Sequence, residues 1–283
     1  MIRLRPREPL FPERLQAIFD PPPALYVRGD GEPELFARRA VAVVGARACS
    51  PYGSQVARRL GRELAAAGLV VVSGLARGID GEAHRGALEA GGITVAVLGC
   101  GIDRDYPASH AQLSRRIEER GLVVSEYEPG VEPAPWRFPA RNRIIAGLSE
   151  AVIVVEARER SGALITADFG LDEGREVFAV PGEITSSLSA GTNALLKLGA
   201  APLTSPQDVL DALGIERADG VGAAVDVSPH ATRVFELVRE APAGADELAA
   251  RGTLDSGAVS IALTELELAG LVAAADGVYR VAK

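Results

Sequence analysis

The sequence predicts an α/β protein: a doubly wound parallel sheet with helices on both faces, followed by a smaller domain of three helices and a β-hairpin. Three observations predict it. Short β-branched runs alternate with helix-period segments from residue 40 onward. Those runs are apolar throughout rather than alternating with polar residues, which marks strands buried on both faces. Beyond residue 228 the pattern changes to three helical segments and two short strands around Asp276-Gly277, a two-residue hairpin signal.

Pro12 to Leu35 carries a proline-rich turn between a short helix and a strand that join the first domain. Ala40–Val44 is the first fully apolar strand, and the helix after it runs from about Pro51 to Ala67 and stops at Gly68. Leu69–Ser73 is the next strand, with a helix from about Asp80 to Ala90 ending at Gly91-Gly92. Then come Ile93–Leu98, a helix near Ser109 to Glu119, the strand Leu122–Ser125 and a helix around Arg141 to Leu148. Ala151–Val155, a helix near Ala163 to Glu173 and Val177–Val180 follow, and a further helix begins near Thr192. These elements place a first domain at 1–214. A Gly- and Ala-rich linker occupies 215–227, and a second domain of winged-helix layout occupies 228–283. The third helix of that layout, Ser256 to Ala269, contains Glu265 and Glu267 and no Lys or Arg. A helix facing phosphates carries the opposite charge, so a protein-contact or accessory role is favoured for this domain.

Length and composition exclude several classes. A chain of 283 residues that is 47% hydrophobic is globular and builds a sizeable core. No apolar run approaches the ~18 residues of a membrane span. The N-terminus, with Arg3, Arg5 and Arg7 running into Pro9, lacks the apolar segment of a secretory signal. The expected location is cytoplasmic, with no membrane partner. Cys49 and Cys100 form no C-x-x-C pair, and His84, His110 and His230 show no zinc spacing, so no metal site is expected and the cysteines read as small buried residues. The net charge of −8 argues against a protein-wide nucleic-acid footprint, although acidic helices can lie far from a locally basic groove. Lys197 and Lys283 are the only lysines. GC-rich coding accounts for the abundance of arginine, so particular arginine positions carry the information.

Four strand-to-helix junctions share one chemistry. The first holds Gly45, Arg47 and Ser50; the second Ser73, Gly74, Arg77, Gly78 and Asp80; the third Ser161, Gly162 and Thr166; the fourth Gly191, Thr192 and Asn193. In a parallel doubly wound sheet all such junctions lie at the carboxyl edge of the strands, where ligands bind. Glycines let the backbone approach an anion, helix N-termini present N–H groups to it, and arginine forks match phosphate oxygens. The bland alternative, that Gly, Ser and Thr are simply good loop and cap residues, accounts for one junction more easily than for four.

The first turn lacks G-x-G-x-x-G and the second strand ends in Ser73 rather than an acid, so a dinucleotide cofactor is disfavoured and none is expected. Metal-assisted phosphoryl chemistry needs clustered carboxylates, whereas Asp80, Glu126 and Glu156 are scattered. Asp80 and His84 stand i, i+4 on one helix face, either as an acid–base pair or, more commonly, as a fixture for the loop from Ser73 to Ile79. The segment from Trp136 to Arg143 combines Arg137, Arg141 and Arg143 with Trp136 and Phe138, next to Asn142. Cation plus stacking surface is how single strands are held without sequence reading. The competing reading is an aromatic anchor with surface arginines.

Val43–Arg47, Ser73–Asp80 with Ala83-His84, Tyr106-Pro107, Phe138–Ile145, Ser161–Thr166, Pro181-Gly182 and Gly191–Asn193 together resemble the DNA-processing protein A (DprA/Smf) family, in the right order from about Phe11 to Leu213. The resemblance implies an extended Rossmann-like domain and a winged-helix-like C-terminal domain. It implies cooperative binding of single-stranded DNA, protection of incoming strands, help in loading the RecA recombinase during natural transformation, and a homodimer. Arg47, Ser50, Arg77, Phe138 and Arg141 fall in the motifs that build the family's DNA pocket, and Lys197 is a further phosphate contact. The resemblance begins at about Phe11, so no counterpart of the N-terminal helical domain of some members is expected in these residues.

Two other classes compete. A phosphoribohydrolase of related fold carries P-G-G-x-G-T-x-x-E, but here Leu195 stands in the place of the glutamate, which removes the obvious acid or nucleophile. A transcription factor using the terminal winged helix conflicts with the acidity of its third helix. The expectation is a non-catalytic protein that holds single-stranded DNA.

Overall fold

A computed structural model describes residues 1–215, 227–275 and 277–281. The chain divides into two compact units, Met1–Arg217 and Ala218–Lys283. The expected linker falls almost wholly on residues 216–226, outside the described residues.

The first unit is built on one nine-stranded sheet. Its strands are β1 (Ile2–Leu4), β2 (Leu25–Arg28), β3 (Ala40–Val44), β4 (Val70–Ser73), β5 (Thr94–Val97), β6 (Leu122–Ser125), β7 (Ala151–Val154), β8 (Glu176–Ala179) and β9 (Ala201–Pro202). The helices are α1 (Glu13–Gln16), α2 (Pro51–Ala66), α3 (Ile79–Glu89), α4 (Ala111–Glu118), α5 (Arg137–Gly147), α6 (Gly162–Asp172), α7 (Ala190–Lys197) and α8 (Pro206–Ala212). The spatial order is β1-β2-β6-β5-β4-β3-β7-β8-β9. β6 through β9 are parallel, as the apolar runs predict, but β2 pairs antiparallel with β6 and β1 antiparallel with β2. The sheet is therefore mixed at one edge, where the N-terminal segment adds itself without a crossover helix.

Side-chain alternation explains why the strands read as apolar throughout. Ala40, Ala42 and Val44 belong to a core shared with α5 and α6, while Val41 and Val43 point to the opposite core, shared with α2 and α3. From β3 the chain steps outward through β4, β5 and β6, then returns to place β7 on the other side of β3. That reversal leaves a crevice at the carboxyl ends of β3 and β7, the usual ligand position of an open α/β sheet. α5 begins at Arg137, earlier than expected. Pro139 falls in the first helical turn, where its missing N–H has no intrahelical partner to lose.

The second unit consists of α9 (Pro229–Glu240), α10 (Ala245–Gly252), α11 (Ser256–Leu268) and an antiparallel hairpin of β10 (Val272–Ala275) and β11 (Val278–Val281). Val234, Val238, Leu248, Val259, Leu263 and Leu266 form its core, and Ala243 bridges to Tyr279. This is a winged helix. The acidity of α11 is partly structural: Glu265 turns back to accept from the backbone N–H and hydroxyl of Ser228, the N-cap of α9.

Candidate nucleic-acid interface

The β3–β7 crevice opens into a cavity of about 200 Å³. Val44, Gly45 and Arg47 line it from the end of β3 and the turn after it, Ala76 from the turn after β4, Asp80 from the first turn of α3, and Phe138, Arg141, Asn142 and Ile145 from α5. Ser161, Gly162, Ala163 and Thr166 close it from the start of α6. Ser161 caps that helix by accepting from the Ala163 N–H, and a Cβ added at Gly162 would meet nothing within 4 Å. The amino end of α6 thus faces the cavity unobstructed, with the positive end of its dipole toward any anion held there.

The floor is a pinned loop. Three consecutive residues after β4 are each held by a side chain from a different element. Arg141 donates to the carbonyls of Gly74 (2.8 Å) and Val97. His110 lies 2.9 Å through Nδ1 from the Leu75 carbonyl. Asp80 accepts from the Ala76 N–H. Leu75 adopts φ +57°, a costly conformation for a bulky side chain, and persists because its neighbours are fixed on both sides. Gly74 packs against the Arg141 guanidinium, and Gly78, at φ +75°, sits over the Ala46 carbonyl where a Cβ would collide. These glycines admit protein atoms rather than ligand.

Arg141 is only 4% exposed, and burial lowers its pKa to about 10 against the pull of Asp80. Asp80 is 6% exposed; burial raises its pKa, opposed by Arg141, the Ala76 N–H and Arg47. Arg141 is therefore first a structural cation beneath the cavity. Asp80 fixes the loop, and the acid–base pairing with His84 does not form. His84 instead meets the Thr94 hydroxyl through Nδ1 at 2.7 Å, and burial, then His110, pushes its pKa down to about 3.

The rim is exposed cation on aromatic. The guanidinium carbon of Arg47 lies 5.2 Å from the centroid of Phe138, whose ring stacks on Tyr106 at 5.2 Å. Arg47 and Arg77 are exposed, as are Arg158 and Arg160 in the loop before α6, and none of the four has an ion-pair partner among the described residues. Sequence reasoning missed Arg158 and Arg160, although their place just before Ser161-Gly162 was the available signal.

Other singled-out residues lie elsewhere. The Ser50 side chain caps α2, accepting from the Gly53 N–H, and both its hydroxyl and its N–H donate to Glu156. The Ser73 hydroxyl is buried on the Val43 carbonyl. Arg143 is clamped between Glu126 (2.8 Å) and Asp20 (2.9 Å), which leaves little of its charge for a ligand. In the fourth junction Gly191 donates through its N–H to Ala157, the Thr192 hydroxyl donates to the Ser189 carbonyl, and Asn193 bonds both backbone groups of Gly182. These residues hold the β8–α7 loop in shape, and neither they nor Lys197, which is exposed in the last turn of α7, line the cavity. Among the described residues no group of three His, Cys, Asp or Glu side chains could hold a metal ion, and no helix is long and apolar enough to cross a membrane.

The chain is thus a Rossmann-like α/β protein whose switch-point cavity is floored by buried Arg141 and bordered by Arg47 on Phe138, with exposed Arg77, Arg158 and Arg160 in the adjoining loops, followed by a winged helix. Comparison with known proteins makes this specific. The chain belongs to the DNA recombination-mediator protein A family, whose model matches residues 3–214; the DprA winged helix domain matches residues 221–277. The DNA processing protein DprA of Streptococcus pneumoniae is 48% identical over 200 residues, 71% of this chain and 70% of that protein. Protein Smf of Escherichia coli is 41% identical over 281 residues, 95% and 74% of the two chains. The X-ray structure of the Streptococcus pneumoniae protein superposes with a TM-score of 0.71 at 46% identity, covering 74% of this chain and 73% of that one. DNA processing protein A from Helicobacter pylori, solved for its single-stranded DNA binding mode, superposes at 0.66 with 34% identity, covering 72% and 92%.

Proposed function

We propose that this chain binds single-stranded DNA along the carboxyl edge of its sheet and acts as a recombination mediator without cutting the strand. The observation that carries the reading is the unpaired Arg47 laid on Phe138 at the mouth of a cavity walled by the amino end of α6. A phosphate seated there meets helix N–H groups and a guanidinium, while a base finds the Phe138–Tyr106 surface. The two buried carboxylates at this edge are engaged in holding the protein together: Asp80 on the Ala76 N–H, Glu156 on Ser50. Leu195, in the place of a hydrolase glutamate, is buried. Both facts support a site that holds rather than cleaves.

We further propose that the bound strand is protected and passed to a RecA recombinase during natural transformation, in the cytoplasm, by a homodimer. Family membership supports both the hand-off and the self-association. The proposed contacts are Arg47, Arg77, Phe138, Gly162 and Ser161, with Arg141 and Asn142 beneath. Anisotropy of labelled oligo-dT tests the reading. Arg47→Ala and Arg77→Ala each weaken binding and flatten its salt dependence by about one charge, with the fold intact. Wild-type affinity in both variants contradicts it.

A further inference from the structure

We propose that Trp136 is a second stacking platform for a base of the same strand, reached after the base at Phe138. The proposal rests on the reading above, that this edge holds single-stranded DNA.

Trp136 is the only tryptophan of the chain and is 63% exposed, an unusual position for so large an apolar ring. It is also rigidly supported. Its backbone is already helical at the start of α5. The Arg137 guanidinium carbon lies 4.8 Å from the Trp136 centroid and 5.0 Å from that of Tyr127. Arg137 donates to the Glu132 carbonyl, and its Nε is buried with no hydrogen-bond partner, so the cation serves as a fixed spacer between two rings. A ring held from one side by a cation keeps its other side free for a base, and little order remains to be lost on binding.

Placement along the edge gives the direction. Phe138 packs over Gly99, two residues beyond β5, while Tyr127 stands two residues beyond the neighbouring β6. Two platforms, each a guanidinium with aromatic rings, therefore stand at adjacent strand ends. Near the second, Glu126 is paired with Arg143 and Glu132 with Arg104, and Glu128 is exposed. A phosphate gains little there, so the ligand of this platform is the base.

The single tryptophan is its own reporter. Its fluorescence is followed while oligo-dT of about four to sixteen nucleotides is added, with anisotropy reporting binding independently. The expected result is quenching that appears only with the longer strands. Trp136→Ala weakens long oligo-dT roughly five- to hundredfold while leaving the shortest unchanged, and Trp136→Phe restores most of the loss. Binding with unchanged fluorescence, or equal losses for short and long strands, overturns the platform and leaves the Arg47–Phe138 reading standing. Absence of binding overturns both.

Discussion

Replacing Arg141 by methionine separates its role as a pin from a role as a ligand. Methionine keeps much of the side-chain volume and removes every donor. The variant loses the bonds to the Gly74 and Val97 carbonyls, each made by a charged donor in a buried site. At ~1.5–3 kcal/mol apiece these amount to about 3–6 kcal/mol. Part is returned because the variant no longer has to desolvate a guanidinium on folding, leaving a net cost of about 2–4 kcal/mol. That is a large fraction of a typical folding free energy. The cost also depends on pH. Asp80 has a raised pKa in the fold, so between its unfolded value of 3.8 and its folded value the native state binds more protons than the unfolded one, and stability falls as pH rises through that window. Arg141 opposes the rise; without it the window extends toward neutrality. Urea unfolding of the first unit, followed by circular dichroism, shows a larger loss at about pH 8 than at about pH 5, and Asp80→Asn in the variant removes the difference. Unchanged stability with weaker DNA binding would refute the pin and make Arg141 a plain ligand. A loss equal at both pH values would refute its pairing with Asp80.

Two further outcomes follow from the loop and from the winged helix. His110→Leu leaves the Leu75 carbonyl without its partner, raises hydrogen exchange at residues 75–77 and weakens oligo-dT binding several-fold, whereas His110→Asn, which keeps a donor near Nδ1, retains wild-type affinity; identical behaviour of the two variants excludes the positioning role. Glu265→Gln loosens the start of α9, because the Ser228 hydroxyl and N–H hold the Glu265 pKa below its ordinary 4.5; that contribution is present above pH ~4.5 and is lost as pH falls through the depressed value, so thermal unfolding of the second unit differs between wild type and variant at neutral pH and converges in acid.

The parallel core was legible because β3 to β8 are short β-branched runs with both neighbours in a core, a pattern that needs no tertiary knowledge. The antiparallel edge was not, since Ile2–Leu4 and Leu25–Arg28 are too short to show how they pair. α8 was missed although Ser205, Pro206 and Asp208 form a legible capping box and N1 proline. In the candidate site, the sequence points to residue types more readily than to the role each residue takes. Arg47 and Phe138 meet as their chemistry suggests. Arg141 looks like Arg47 in sequence, and only the packing of α5 turns it inward onto the Gly74 and Val97 carbonyls. Asp80 and His84 share a helix face, yet Thr94 on β5 claims the histidine. Glu156 reads as a stray edge acid until the fold brings it 2.9 Å from the Ser50 N–H.

The most direct measurement is a salt series of oligo-dT binding to the full chain, to Arg47→Ala and to Arg77→Ala. The log of affinity should fall linearly with log salt for the wild type, and each variant should bind more weakly with a slope lower by about one. Wild-type affinity and slope in both variants would place the strand somewhere other than the arginine-rimmed cavity.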